Sequence, residues 1–236
     1  MRQTFIKYAL TAAMLAAAAC GDPAENGAAS GAGRTAQASA VDTTANASGG
    51  FRPGSIILFV GTSLTAGYGL EPEESYPNLI QQKLDSAGLD FDVVNAGISG
   101  ETTSSLLRRI DWLLRQPFEI IVIETGANDG LRGVPVATME RNIQQIIEGV
   151  RAMRPRAQIV LAQMEAPPNL GASYTSEFRR VFPDLARRND VMLLPFMLEG
   201  VAGVRSMNQG DGIHPNRAGA RIVAENVWRG LRPVLQ

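Results

Sequence analysis

The period of the apolar positions changes along the chain. From residue 51 onward, short continuous apolar runs alternate with longer stretches in which apolar residues recur every three or four positions. Residues 55–60 (SIILFV), closed by Gly61, form a run of the first kind and predict a strand buried on both faces. Residues 91–95, 119–124, 157–162 and 191–194 predict four more. The stretches between them predict helices over 77–87, 102–114, 135–153, 173–188 and 216–231. In 102–114, for example, Leu106, Leu107, Ile110, Leu113 and Leu114 fall at helical spacing. Strands alternating with helices predict one α/β domain over 51–236, built on a parallel sheet covered on both sides. In such sheets ligands gather beyond the carboxyl ends of the strands, and the conspicuous polar residues of this chain fall there.

The first fifty residues follow another pattern. Arg2 and Lys7 precede a mostly apolar run of twelve residues, 8–19, and small residues lead into Cys20. Twelve is short of the roughly 20 needed to span a bilayer, and the order basic, apolar, small is that of a secretory signal over 1–19. Ala17-Ala18-Ala19-Cys20-Gly21 resembles a bacterial lipoprotein box, which implies cleavage before Cys20 and lipid attachment there. An ordinary secreted protein with a chance cysteine is the plainer alternative. In residues 21–50, 21 of 30 are Ala, Gly, Ser or Thr, too few apolar groups to offset the entropy of ordering, so 20–50 reads as a flexible tether. Anchor, tether and globular body together imply a location in the bacterial cell envelope, facing the periplasm, with membrane contact through the lipid.

Charge and rare residues narrow the chemistry. With 22 Lys plus Arg against 23 Asp plus Glu, the chain lacks the basic excess that nucleic-acid binding requires, and no nucleic-acid partner is expected. A single cysteine excludes an internal disulfide, and one Cys with one His makes a protein-ligated zinc improbable; no metal or organic cofactor is expected. A histidine-dependent reaction would have only His214 as its base.

Four short stretches carry candidate chemistry. Gly61-Thr62-Ser63-Leu64 follows the first strand, where a serine beside a glycine turn would stand at the sheet edge. Serine needs a base to become a nucleophile, and a turn serine or helix cap has the same local sequence. Asp211-Gly212-Ile213-His214-Pro215 lets a carboxylate reach one imidazole nitrogen while the other faces away, an arrangement that fixes the tautomer. Asn95-Ala96-Gly97-Ile98-Ser99-Gly100 and Gly126-Ala127-Asn128-Asp129 follow the second and third strands. Their glycine amides and asparagine side chain, with the amide of Ser63, could surround a developing oxyanion; read singly, each is also a plain strand-to-helix turn. Glu124 and Asp129 read as loop-holding groups, Trp112 and Trp228 as helix packing, and the Arg-rich pairs (108–109, 179–180, 187–188) as solvated helix faces.

Taken together, these blocks resemble the SGNH, or GDSL-type, hydrolase family over nearly all of 54–231, and within it the arylesterase, thioesterase I and lysophospholipase group. Gly67-Tyr68-Gly69-Leu70, residues 95–100, residues 126–132 and residues 211–217 look like that group's blocks, and residues 167–171 like its mobile loop beside the substrate cleft. The resemblance implies a flavodoxin-like three-layer α/β/α sandwich with a five-stranded parallel sheet. It implies Ser63 as nucleophile, His214 as base and Asp211 as its orienting acid, with Ser63, Gly97 and Asn128 forming the oxyanion hole. The implied activity is hydrolysis of small-molecule esters, or thioesters or lysophospholipids, through an acyl-serine. A carbohydrate acetylesterase of the same family and a non-catalytic surface-binding lipoprotein are the alternatives. Thr62 departs from the family's aspartate at that position, which implies altered tuning of the nucleophile turn, since its hydroxyl can still accept a backbone N–H.

Overall fold

A computed structural model describes residues 51, 52 and 54–235; the predicted signal segment, Cys20 and the tether lie outside them. Five strands, β1 (Ser55–Gly61), β2 (Phe91–Gly97), β3 (Ile120–Ile123), β4 (Gln158–Ala162) and β5 (Met192–Leu194), form one sheet in the order β2-β1-β3-β4-β5. Every pairing is parallel, with Ser55 opposite Phe91, Ile57 opposite Ile120, Ile120 opposite Gln158 and Val160 opposite Met192. The predicted strands are all present, each within two residues of its expected ends. Ile57, Leu58, Phe59 and Val60 of β1 and all four residues of β3 are buried, which is why these strands are unbroken apolar runs instead of alternating ones.

Among the described residues, seven α-helices accompany the sheet: α1 (Ser63–Ala66), α2 (Tyr76–Ser86), α3 (Thr103–Leu113), α4 (Ala127–Leu131), α5 (Val136–Met153), α6 (Ala172–Arg188) and α7 (Arg217–Leu231). The long ones turn the expected stripes inward: Met139, Ile143, Ile146, Ile147 and Val150 of α5 are buried, as are Phe178, Val181, Phe182 and Leu185 of α6. Local chemistry sets several starts. The Thr102 hydroxyl accepts from the Ser105 amide, and the Asn216 side chain accepts from the amides of Ala218 and Gly219, caps of the kind that contribute about 1 kcal/mol each. Helix α2 packs with α7, and α5 packs with both α3 and α6; right-handed crossovers in the order β2-β1-β3-β4-β5 put α2 on one face of the sheet and α3, α5 and α6 on the other. Phe59, fully buried, sets its ring edge-on to Tyr76 at 5.7 Å; its truncation to alanine would cost about 3–5 kcal/mol.

Trp112 departs from expectation: it is 61% exposed. The buried stripe of α3 runs through Leu106, Ile110 and Leu113, and two residues beyond Ile110 is a turn of roughly 200°, which points outward. Trp228, by contrast, packs partly against the core.

The strand order decides where a site can form. The chain leaves β1 toward β2 on one side, then crosses back over β1 to β3 on the other. The connections at the carboxyl ends of β1 and β3 therefore diverge and leave a crevice between them. Ser63 lies two residues beyond β1, and Asn128 five beyond β3.

Candidate active site

Ser63 is the first residue of α1, a four-residue helix capped by Thr62, whose hydroxyl accepts from the Leu64 amide at 3.3 Å. The chain then reverses through Gly67, at φ 73°, a left-handed backbone that glycine adopts without steric cost. Gly61 serves differently. A Cβ on it would lie 2.1 Å from Thr65 Oγ1 and 2.6 Å from Glu124 Oε2, so this glycine makes room for buried polar groups beneath the serine. Asn95 holds α1 from the other side, its Nδ2 donating to the Thr65 carbonyl at 2.8 Å.

The loop before α7 brings the imidazole to the serine. It is closed by a bridge between Asn208 and Pro215 and by the Gln209 amide donating to the His214 carbonyl at 2.8 Å. Gln209 Nε2 also donates to the carbonyls of Tyr68 and Pro215, tying this loop to the one after α1. Within the loop, Asp211 Oδ1 accepts from the amides of Ile213 and His214 at 2.9 and 3.0 Å, which orients the carboxylate. Its Oδ2 then lies 2.6 Å from His214 Nδ1, and His214 Nε2 lies 2.8 Å from Ser63 Oγ. The three side chains thus form one hydrogen-bonded line across 151 residues of sequence. A carboxylate at Nδ1 keeps the proton there and leaves Nε2 bare toward the hydroxyl. The hydrogen bond from His214, followed by those from the Ile213 and His214 amides, draws the Asp211 carboxyl down from 3.8 to about 2. The Tyr68 ring lies against the imidazole, centroid to centroid 4.6 Å.

The remaining expected donors divide. Asn128 lines the cleft beside Ser63; one of its Nδ2 hydrogens goes to the Glu101 carbonyl at 3.0 Å, which leaves the other available. Gly97 does not join them. Its N–H donates to Asn95 Oδ1 at 3.0 Å, and a Cβ there would meet the Ala66 nitrogen at 2.3 Å. The role of Gly97 is close approach of β2 to α1. From the loop after β2 it is Gly100 that lines the cleft with Ser63 and Asn128, and its N–H has no acceptor among the described residues. Its carbonyl accepts from Arg132 at 3.1 Å, which holds the following peptide. Two glycines three apart in one loop look alike in sequence, and only the fold separates them.

Neighbouring charges brace this loop. Arg109 holds Glu101 through two hydrogen bonds, 2.6 and 2.7 Å, and also donates to the Ala96 carbonyl. It is therefore a structural cation and not the solvated one expected of the 108–109 pair. Buried Asp129 accepts from the Thr103 amide and hydroxyl at 2.9 and 2.6 Å, the loop-holding part expected of it. The cleft itself measures about 610 Å³ and is walled by Leu64, Tyr68, Leu131, Met164, Phe196 and Leu198, with Pro167 and Pro168 at its edge.

Known proteins resemble this chain in sequence and fold. The family described as GDSL-like lipase/acylhydrolase matches residues 59–222. Esterase TesA of Pseudomonas aeruginosa is 41% identical over 180 residues, which are 76% of this chain and 89% of that protein. Thioesterase 1/protease 1/lysophospholipase L1 of Escherichia coli K12 is 37% identical over 180 residues, 76% of this chain and 84% of that one. A crystal structure of the psychrotrophic esterase EstA from Pseudoalteromonas, inhibited by monoethylphosphonate, superposes with a TM-score of 0.72 at 35% identity, covering 77% of this chain and 98% of that one. The switch-point crevice with its Ser–His–Asp line and these similarities lead to one placement: the chain belongs to the GDSL-like lipase/acylhydrolase family.

Proposed function

We propose that the chain is a serine esterase that hydrolyses carboxylic esters through an acyl-serine at Ser63. The observation that carries this reading is the continuous line from Ser63 Oγ to His214 Nε2, 2.8 Å, and from His214 Nδ1 to Asp211 Oδ2, 2.6 Å. His214 takes the serine proton as Oγ attacks the ester carbonyl carbon, and Asp211 stabilises the imidazolium that forms. The tetrahedral oxyanion is received by the Ser63 and Gly100 amides and by Asn128 Nδ2, donors each worth about 2.7–4 kcal/mol in comparable sites. The protonated imidazole then delivers its proton to the departing alcohol, or thiol where the substrate is a thioester. Water repeats the attack on the acyl-serine with His214 again as base, which restores the free hydroxyl.

The walls of the cleft support a lipophilic acyl group over an acetylated sugar. Its lining is mostly apolar; among the described residues it contains no Lys or Arg and one carboxylate, Glu165, which pairs with Arg179. The names of the relatives, an esterase and a thioesterase/lysophospholipase, agree with that substrate class. Ser63→Ala and His214→Ala are expected to abolish hydrolysis of p-nitrophenyl butyrate, and Ser63→Ala to abolish labelling by a fluorophosphonate; turnover near the wild-type rate by either folded variant overturns the reading.

The pattern Arg2, Lys7, apolar 8–19, Cys20 supports a second proposal, attachment to the bacterial envelope through lipid on Cys20, with 51–236 as the catalytic body. Cys20→Ala is expected to move the enzyme from the membrane to the soluble fraction of producing cells. An unchanged distribution rules the anchor out.

A further inference from the structure

The buried carboxyl of Glu124 takes no part in the proton transfers above, yet it lies directly under the nucleophile. Resting on the assignment of Ser63, we propose that Glu124 is the positioning residue of the nucleophile turn, gripping Thr62 and Thr65 on either side of the serine. Glu124 follows β3 immediately and is fully buried. Its Oε2 lies 2.8 Å from the Thr62 amide, 2.9 Å from the Thr62 hydroxyl and 2.9 Å from the Thr65 hydroxyl. The Thr65 hydroxyl is in turn 2.8 Å from the buried Tyr76 hydroxyl on α2.

Three features argue that this carboxyl serves the site and not the core. Among the described residues no Lys, Arg or His is paired with it, and burying a carboxyl without a cation opposes stability, so an apolar side chain would serve packing better. Space is cleared for it: a Cβ on Gly61 would collide with both Glu124 and Thr65. Finally, the grip helps to fix the two peptide planes that meet at the Thr62 Cα. The Thr62 amide and hydroxyl are held by Glu124 and its carbonyl accepts from the Ala66 amide at 2.9 Å. The peptide that joins Thr62 to Ser63 therefore has a set orientation, and with it the direction of the Ser63 N–H and side chain. Attack requires reacting atoms about 3–3.5 Å apart and aligned, so small rotations of that plane cost rate. The threonine at 62 suits this partner because its hydroxyl can donate to a carboxylate, which an ionised aspartate cannot.

The test compares Thr65→Val, Thr65→Ser and Glu124→Gln with wild type in the full chain, below the Tm of each variant. Values of kcat and KM for p-nitrophenyl butyrate and the rate of fluorophosphonate labelling are measured together. Thr65→Val, nearly isosteric, is expected to lower kcat and labelling about tenfold with KM within about twofold, and Thr65→Ser to restore both. Glu124→Gln keeps an acceptor for the Thr62 amide but replaces one carboxyl oxygen, which faces the threonine hydroxyls, by an NH2 group, and is expected to lower kcat about threefold or more at unchanged KM. Folded Thr65→Val with wild-type kcat and labelling, whatever its Tm, overturns the proposal, as does a change confined to KM. Should Thr65→Val fail to fold, Glu124→Gln at wild-type kcat overturns it equally. Labelling or turnover by Ser63→Ala would instead refute the nucleophile itself, a separate result.

Discussion

Asp211 shows how much geometry can do at an exposed position. Its side chain is 38% exposed, yet its carboxyl is drawn down to about 2 because the imidazole N–H and two backbone amides converge on it. A depressed carboxylate contributes stability that is present above its ordinary 3.8 and lost as pH falls through about 2. Across the range above about pH 4 it therefore stays charged, and an acid limb of kcat/KM seen there belongs to another group. Asp211→Asn is expected to lower kcat by about 10²–10⁴ with little change in KM, because the amide can donate to Nδ1 and turn the wrong nitrogen to Ser63. A kcat within threefold of wild type would show that the exposed carboxylate does not set the tautomer. At this scale much was legible beforehand. Ser63, Asp211 and His214 stood out by residue type, spacing and the rarity of histidine. The grip of Glu124 on two threonines and the contact of Tyr68 with the imidazole join residues from different elements, and no local pattern encodes either.

At the scale of elements, periodicity located all five strands and the five long helices, because each must bury a face or a whole run. Helices α1 and α4 escaped it: four and five residues are too few to show a period, and both owe their existence to the turn that follows a strand. In sequence, the glycines at strand ends look like turn-makers and amide donors. Gly61 and Gly97 are instead places where another backbone or side chain approaches too closely for a Cβ. Gly97→Ala is thus expected to push α1 away from β2, lowering kcat/KM for p-nitrophenyl butyrate at least tenfold, roughly 1.4 kcal/mol of barrier, together with a fall in Tm. Unchanged kinetics would mean that α1 can shift without moving Ser63 from His214.

For the molecule as a whole, the cleft gathers walls from α1, α4 and the loops after β2, β4 and β5 with the His214 loop, so its character belongs to no single segment. Its apolar lining leads to a graded expectation. Burying each added methylene contributes about 0.8 kcal/mol, so kcat/KM should rise up to about fourfold per methylene from p-nitrophenyl acetate through butyrate to hexanoate. A flat or falling series would place the acyl chain outside this cleft.

The order of apolar and polar residues determined, unaided, an alternating α/β chain with its polar blocks at the strand ends, since burial of faces and runs leaves a one-dimensional trace. The proposed reacting side chains, Ser63, Asp211 and His214, were legible for a different reason: the blocks that carry them resemble those of a hydrolase family. Tertiary structure decided the rest. It set the strand order that opens the crevice between β1 and β3, chose Gly100 over Gly97 as the glycine facing the cleft, and placed a buried carboxyl beneath the serine. Those choices depend on distances between segments far apart in the chain, and such distances exist only once the sheet has assembled.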